Sequence, residues 1–207
     1  SDVYKRQELN IEVIKLYCEP NGDFPHNPEP LKKNLTELSK KVIECNADLG
    51  IAVDPDVDRL VFVCEDGELF GEENTLVACA DYVLSKTPGS TVSNLSSSRA
   101  LNDITKKHNQ VHYYSAVGEV NVVDKMKKCK AVIGGEGNGG VIYPKSHYGR
   151  DSIVGIGLFL SLYVERGLIA SKLLETYPKY FMVKEKINLS PSLDVDNILG
   201  QIAEKYK

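Results

Sequence analysis

The segment "IAVDPDVDRLVFV" at positions 51 to 63 places Asp54, Asp56 and Asp58 at alternate positions and sets Arg59 directly after them. Side chains of an extended backbone alternate faces, so continuing the apolar strand that ends at Val53 would point all three carboxylates the same way. Two carboxylates about 4 Å apart repel by roughly 4 kcal/mol at an effective dielectric near 20. Separate turn-capping roles would return only about 1 kcal/mol each. Such a cluster is stable around a cation, and an all-oxygen ligand set selects a hard one, Mg²⁺ or Ca²⁺. A calcium EF-hand loop spaces its ligands similarly, with Glu65 at its end. It needs glycine where Arg59 stands, however, and neither Pro55 nor the flanking strands suit it. Mg²⁺ is the expected ion.

Arg59 has two readings. A guanidinium beside a Mg²⁺ site grips phosphate oxygens in a bidentate way, and Mg²⁺ commonly divides its shell between carboxylates and a phosphate. A salt bridge to a neighbouring aspartate is the plainer role. In "GGEGNGGVIYP", Glu136 and Asn138 stand among glycines directly after a strand. A carboxylate and an amide two residues apart can bind adjacent sugar hydroxyls, and glycine lets a ligand come close. A flexible hairpin fits the same letters, and the spacing is not that of a dinucleotide or P-loop fingerprint. "GRDS" opens a long apolar helix, with Asp151 as its N-cap and Arg150 free to face an anionic ligand. In "SAVGEV" a helix start at Gly118 and Glu119 offers amides to a phosphate or hydroxyl; turn chemistry explains Gly118 equally well. "SSSR" is a similar junction, with Ser98 as N-cap.

The elements that must position these loops alternate. "IEVIKLYCEP" reads as a strand, and the prolines Pro25, Pro28 and Pro30 make the next stretch an irregular loop. Leu31, Leu35, Leu38 and Val42 form the apolar face of a helix. "ADLGIAVD", apolar on both faces, reads as a strand of a covered parallel sheet. "RLVFVCEDGELF" is a strand, a turn at Asp66-Gly67 and a short return strand. A second cycle follows: a helix carrying Leu76, Val77, Ala80, Val83 and Leu84, then the strands "TVSNL", "VHYYSAV" and "AVIGG" with helices between them. A long apolar helix from Asp151 to about Glu165 closes it. Beyond Ile169 come a connecting helix, a strand "FMVKEKINL" and the start of another helix. The fold class is α/β, with two consecutive α/β/α layered domains of mixed, mainly parallel sheets, a boundary near Gly67 to Gly71, and the start of a third domain.

Composition narrows the partners. The 207 residues are 42% hydrophobic and 26% charged, as in an ordinary globular protein. A net charge of −4 argues against nucleic acid as a partner. "SIVGIGLFLSLYV" falls short of the roughly 20 residues of a membrane helix and reads as buried. Five scattered cysteines without a CxxC pair suggest neither disulfides nor zinc and fit a reducing cytoplasm. The four histidines lack ligand spacing. "DVYKRQ" looks like a translated sequencing adapter, and "AEKYK" ends inside a helical pattern, so the chain reads as a fragment.

In order, "FPHNPEP", "ADLGIAVDPDVDR", "SAVGEV", "GGEGNGG" and "GRDS" resemble the alpha-D-phosphohexomutase superfamily, which includes phosphoglucomutases, phosphomannomutases and phosphoglucosamine mutases. The resemblance runs from Leu9 to Lys207. It implies that residues 8–70 are the C-terminal part of domain 2, 71–168 are domain 3, and 169–207 are a linker and the truncated start of domain 4, with 1–7 an adapter scar. It further implies that Asp54, Asp56 and Asp58 bind Mg²⁺ with a phosphoserine, that Arg59 lies beside that phosphate, and that Glu136 and Asn138 match the sugar-reading loop G-E-x-S-G-H. Asn138 stands at the serine position and Gly140 at the histidine position of that motif. Family members move a phosphoryl group between a serine and a hexose 6-phosphate or 1-phosphate through a hexose 1,6-bisphosphate. The serine motif T-A-S-H-N-P and the phosphate clamp R-x-S-G-T-E-P are absent, so domains 1 and 4 would be missing partners and the fragment alone is expected to be inactive. Phosphoglucosamine mutase is placed ahead of phosphoglucomutase/phosphomannomutase on the "GEGNGGVIYP" and "GRDS" variants. A non-catalytic sugar-phosphate-binding module of the same ancestry and a structural calcium-binding protein are the other readings.

Overall fold

The computed structural model describes residues 11–19, 21–183 and 194–205. The adapter-like hexapeptide, most of the expected strand "FMVKEKINL" and the last two residues lie outside them. Within 11–19 the expected strand does not form: no ladder is made, and Ile11 and Ile14 are exposed. The proline-rich stretch is irregular, as expected, and a 3-10 turn, Lys32–Asn34, leads through the buried Leu35 into α1 (Thr36–Glu44), which buries Val42.

β1 (Leu49–Val53) and β2 (Leu60–Cys64) pair antiparallel, Leu49 opposite Cys64 and Val53 opposite Leu60. This corrects the reading of "ADLGIAVD" as a covered parallel strand. β2 is buried throughout, whereas Ile51 and Val53 of β1 remain 38% and 40% exposed. Among the described residues, β1 has β2 as its one ladder partner, so its apolar letters do not imply cover on both sides. The antiparallel register also makes Asp54 to Arg59 a hairpin loop, which an extended reading of the aspartates did not anticipate. The return strand after Asp66-Gly67 shrinks to one bridge between Val63 and Leu69.

The second cycle forms as expected: α2 (Glu72–Lys86), β3 (Thr91–Asn94), α3 (Ala100–Lys107), β4 (His112–Ser115), α4 (Glu119–Cys129), β5 (Ile133–Glu136), β6 (Gly140–Ile142), α5 (Ser152–Arg166) and α6 (Ala170–Glu175). The sheet order is β4-β3-β5-β6; β3 is parallel to β4 and β5, and β6 returns antiparallel to β5. Alternating side chains give this sheet two apolar faces. Ile133 joins α2, α3 and α5 on one face, while Val92 and Ile142 meet Val122 and Met126 of α4 on the other. The result is three layers.

The larger core continues across Gly67 to Gly71. Phe62 of β2 stacks on Phe159 of α5 with ring centroids 3.7 Å apart, and Phe70 meets Phe159 edge-on at 5.0 Å. Burying each such ring stabilises by about 2 to 3 kcal/mol. The hairpin that carries the aspartates is thereby bolted to the helix that follows "GRDS". Asp151 caps that helix, its carboxylate accepting from the Ile153 and Val154 amides at 2.8 and 3.0 Å. Residues 181–183 form no strand and Phe181 is fully exposed; α7 (Val195–Lys205) buries no residue. No helix among the described residues is long and apolar enough to cross a membrane.

Candidate functional site

The hairpin loop gathers the three aspartates by turning, not by extension. Val57 sits at φ +60°, a left-handed conformation that costs a β-branched residue about 1 to 2 kcal/mol. The surrounding bonds hold it there. Asp54 Oδ1 accepts from the amides of Asp58 (3.0 Å) and Arg59 (2.9 Å), the Val57 amide donates to the Asp54 carbonyl, and the Ser152 amide at the start of α5 donates to the Val57 carbonyl. One oxygen from each of Asp54, Asp56 and Asp58 lies within 4.8 Å of the other two.

The electrostatics of this trio are uneven. Burial works to raise Asp54, but the Arg59 amide, the Asp58 side chain and amide, and the Asp56 side chain together outweigh it and hold its carboxyl below the ordinary range. For Asp58, burial and the adjoining carboxyls of Asp54 and Asp56 win over the pull of Arg150 and push it up to about 6. Asp58 Oδ1 is buried and has no hydrogen-bond partner. Acceptor oxygens packed together with one orphaned among them are what a proton or a metal ion satisfies. The residues present therefore fit a hard divalent cation.

Arg59 takes the salt-bridge role: its Nε lies 3.5 Å from Asp54 Oδ2 and 3.8 Å from Asp58 Oδ1, and Nη1 lies 3.5 Å from Glu29 Oε1. The Nε contacts are ion-pair distances without a hydrogen bond, so that N–H is buried and unmatched. Glu29 comes from the "FPHNPEP" loop.

The sugar-loop candidates lie beside this hairpin. β3, β4 and β5 run parallel and end together at Asn94, Ser115 and Glu136, the edge where open α/β sheets bind ligands. The Leu60 amide donates to the Gly139 carbonyl at 3.1 Å, tying the glycine loop to the base of the aspartate hairpin. Gly139 has φ +91°, and a Cβ there would stand 2.4 Å from the Leu60 carbonyl oxygen, so only glycine permits this approach. Glu136 is buried. Its Oε1 accepts from Asn94 Nδ2 at 2.6 Å and from the Gly118 amide at 3.2 Å, while Asn138 Oδ1 accepts from the Gly140 amide.

Arg150 is not free to face an anion. Its Nη2 pairs with Asp58, its Nη1 with Glu136 Oε2 at 3.1 Å, and its Nε with Glu119 Oε2 at 3.1 Å; Glu119 Oε1 also accepts from the Arg150 backbone amide. Its surroundings are the physical reason, since three carboxylates from three elements converge on one guanidinium. Gly118 and Glu119 thus meet protein groups, Gly118 bonding Glu136 and Glu119 holding Arg150. Asn94 and Glu73 escape the sequence reading, and Ser97 lies inside the "SSSR" junction without a role of its own there. Asn94 Oδ1 accepts from Ser97 Oγ, which accepts from the Gly137 amide, and Glu73 Oε2 accepts from the Ser98 amide. The signal for Asn94 was its place at the end of a strand parallel to β5. Glu73 was camouflaged as an ordinary acid in the first turn of a helix.

Comparison with known proteins places the fold in a family. The family model "Phosphoglucomutase/phosphomannomutase, alpha/beta/alpha domain III" matches residues 72–180, and the domain II model of the same family matches residues 2–67. The chain is 33% identical over 203 residues to a phosphoglucomutase/phosphomannomutase of Thermococcus kodakarensis, covering 97% of this chain and 44% of that protein. It is 34% identical over 189 residues to a protein named "Probable phosphoglucosamine mutase" of Methanopyrus kandleri, covering 90% of this chain and 42% of that protein. The chain thus spans less than half the length of these curated relatives. Among solved structures, a phosphoglucomutase/phosphomannomutase family protein of Burkholderia thailandensis superposes with a TM-score of 0.76 at 27% identity, covering 86% of this chain and 39% of that one. A mixed α/β fold, strand ends lined with polar side chains and two matched domains in sequence order have one common explanation: the chain belongs to the phosphoglucomutase/phosphomannomutase family.

Proposed function

We propose that this chain supplies the cation-binding and sugar-facing loops of a phosphohexose mutase, which interconverts hexose 6-phosphate and hexose 1-phosphate through a phosphoserine and a hexose 1,6-bisphosphate. The observation that carries this reading is the convergence of Asp54, Asp56 and Asp58, with Asp58 Oδ1 buried and unbonded. Mg²⁺ held by these three would supply positive charge to the oxygens of a transferring phosphoryl group. Arg59, whose guanidinium pairs with Asp54, Asp58 and Glu29, would add positive charge beside that phosphoryl group. Glu136, Asn138, Gly118 and Glu119 frame the sugar-facing side. With Asn138 and Gly140 in place of serine and histidine, no acid or base role is assigned to the glycine loop. The nucleophilic serine belongs to a segment outside these residues, and the divisions at 8–70, 71–168 and 169–207 follow the domain order of the family.

The relatives' names support hexose phosphates as the substrate class. We place glucosamine phosphate first and glucose or mannose phosphate second, on the "GEGNGGVIYP" and "GRDS" variants. Free, buried Cys64 and Cys79, whose thiols burial pushes up to about 12, fit work in a reducing cytoplasm. The test is a coupled assay with glucosamine, glucose and mannose phosphates in Mg²⁺. It compares the 207-residue chain with a protein in which these residues are joined to their upstream and downstream coding sequence. Turnover by the joined protein and none by the chain is the expected result. No turnover of any of the three sugars by the joined protein would contradict the function, and turnover by the chain alone would contradict the placement of the serine elsewhere.

A further inference from the structure

Resting on the reading of the aspartate loop as a cation site, we infer that Arg150 is a positioning residue. Its guanidinium competes with the divalent cation for Asp58 and, because it also holds Glu136, ties cation occupancy to the orientation of the glycine-loop carboxylate. The geometry is specific. One guanidinium, 15% exposed, spans the β1–β2 hairpin through Asp58, the start of α4 through Glu119 and the end of β5 through Glu136. It engages Asp58 at Oδ2 and leaves Oδ1, buried and without a hydrogen bond, 3.8 Å from Arg59 Nε. A cation held by the three aspartates would share the Asp58 carboxylate with Arg150. Two positive groups on one carboxylate repel, and a charge this buried is weakly screened.

Two consequences follow. Arrival of the cation weakens the Asp58 to Arg150 contact and leaves the guanidinium to Glu119 and Glu136, the two carboxylates that remain to it. Among the described residues, Arg150 joins the aspartate hairpin to the sugar-facing edge by charge, whereas the Leu60 to Gly139 tie is a backbone bond that metal binding does not alter. Charge at position 150 therefore sets the resting affinity of the loop. Removing Glu119 acts in the opposite sense, since it concentrates the guanidinium on Asp58 and Glu136.

The test is isothermal titration of Mg²⁺ into the full chain and into Arg150→Met, Arg150→Lys and Glu119→Gln, with circular dichroism as the check on folding. Arg150→Met is expected to bind Mg²⁺ on the order of tenfold more tightly. Arg150→Lys, which keeps the charge and loses the fork, should stay near the parent, and Glu119→Gln should bind about two- to threefold more weakly. A folded Arg150→Met with unchanged or weaker affinity would overturn the inference, as would tighter binding by Glu119→Gln, which also stands alone should Arg150→Met fail to fold. Absence of Mg²⁺ binding in every protein would overturn the proposed function and this inference with it. Binding indifferent to positions 119 and 150 would overturn this inference alone.

Discussion

Two clusters of buried charge sit at opposite ends of the same helical layer, and they are built inversely. At Asp81, in the middle of α2, one buried carboxylate serves three donors: His108 Nε2 lies 2.7 Å from Oδ1, while Arg166 Nη2 at 2.8 Å and the Tyr177 hydroxyl at 3.3 Å reach Oδ2. Burial, with Asp81 adding, pushes the Tyr177 hydroxyl up, so it stays a donor. At the aspartate hairpin, six carboxylates (Asp54, the exposed Asp56, Asp58, Glu29, Glu119 and Glu136) gather around two guanidiniums, and Asp58 Oδ1 is left without a hydrogen bond. The first cluster is satisfied by the protein itself and fastens α2, α3, the end of α5 and the segment after α6. The second is short of positive charge. A polar cluster that closes on its own partners is structural, and one that leaves an acceptor unmatched is asking for a ligand.

Substitutions at the two clusters should therefore separate cleanly. Asp54→Ala removes a ligand and the acceptor of two loop amides, so Mg²⁺ affinity measured by titration should fall by at least about 100-fold. Asp81→Ala should lower stability by about 2 to 3 kcal/mol in urea unfolding, Arg166 being partly solvated, and leave Mg²⁺ affinity unchanged. A loss of metal affinity in that variant would erase the distinction between the clusters. Acid should act on the hairpin. Metal binding needs Asp58 ionised, and its carboxyl is pushed up to about 6, so Mg²⁺ affinity should drop about tenfold between pH 7 and 5. In the metal-free chain the same group has the opposite sign. A raised carboxyl favours the folded state fully below its ordinary value of 3.8, and that contribution is lost as pH rises through about 6. Thermal melts across this window should show Mg²⁺ stabilising most on the alkaline side. The smallest effect is expected at Val57. Asn tolerates its positive φ, so Val57→Asn should stabilise by about 1 kcal/mol in the same urea experiment with the metal site intact.

The chain's letters revealed the second cycle almost completely, because its helices and strands each repeat one clear period and are punctuated by Pro88-Gly89, Gly118 and Gly149. They revealed less about the first. "ADLGIAVD" is apolar whether its neighbour runs parallel or antiparallel, and "IEVIKLYCEP" carries strand letters without finding a ladder among the described residues. The aspartates were legible as a cluster, though for a reason the structure replaces: a left-handed Val57 turns them together, and no residue type announces a valine at positive φ. Arg150 shows the limit most clearly. Its letter says cation, and its role depends on Asp58, Glu119 and Glu136, which lie far from one another in sequence and meet only once the hairpin, α4 and β5 are assembled.

The most direct test of the cation site is a crystal of the chain grown with Mn²⁺ in place of Mg²⁺ and measured for anomalous scattering. One peak is expected, bonded to an oxygen from each of Asp54, Asp56 and Asp58, with the Asp58 carboxylate drawn from Arg150 toward it. No peak at the hairpin, with Asp58 still paired to Arg150 at saturating Mn²⁺, would contradict it.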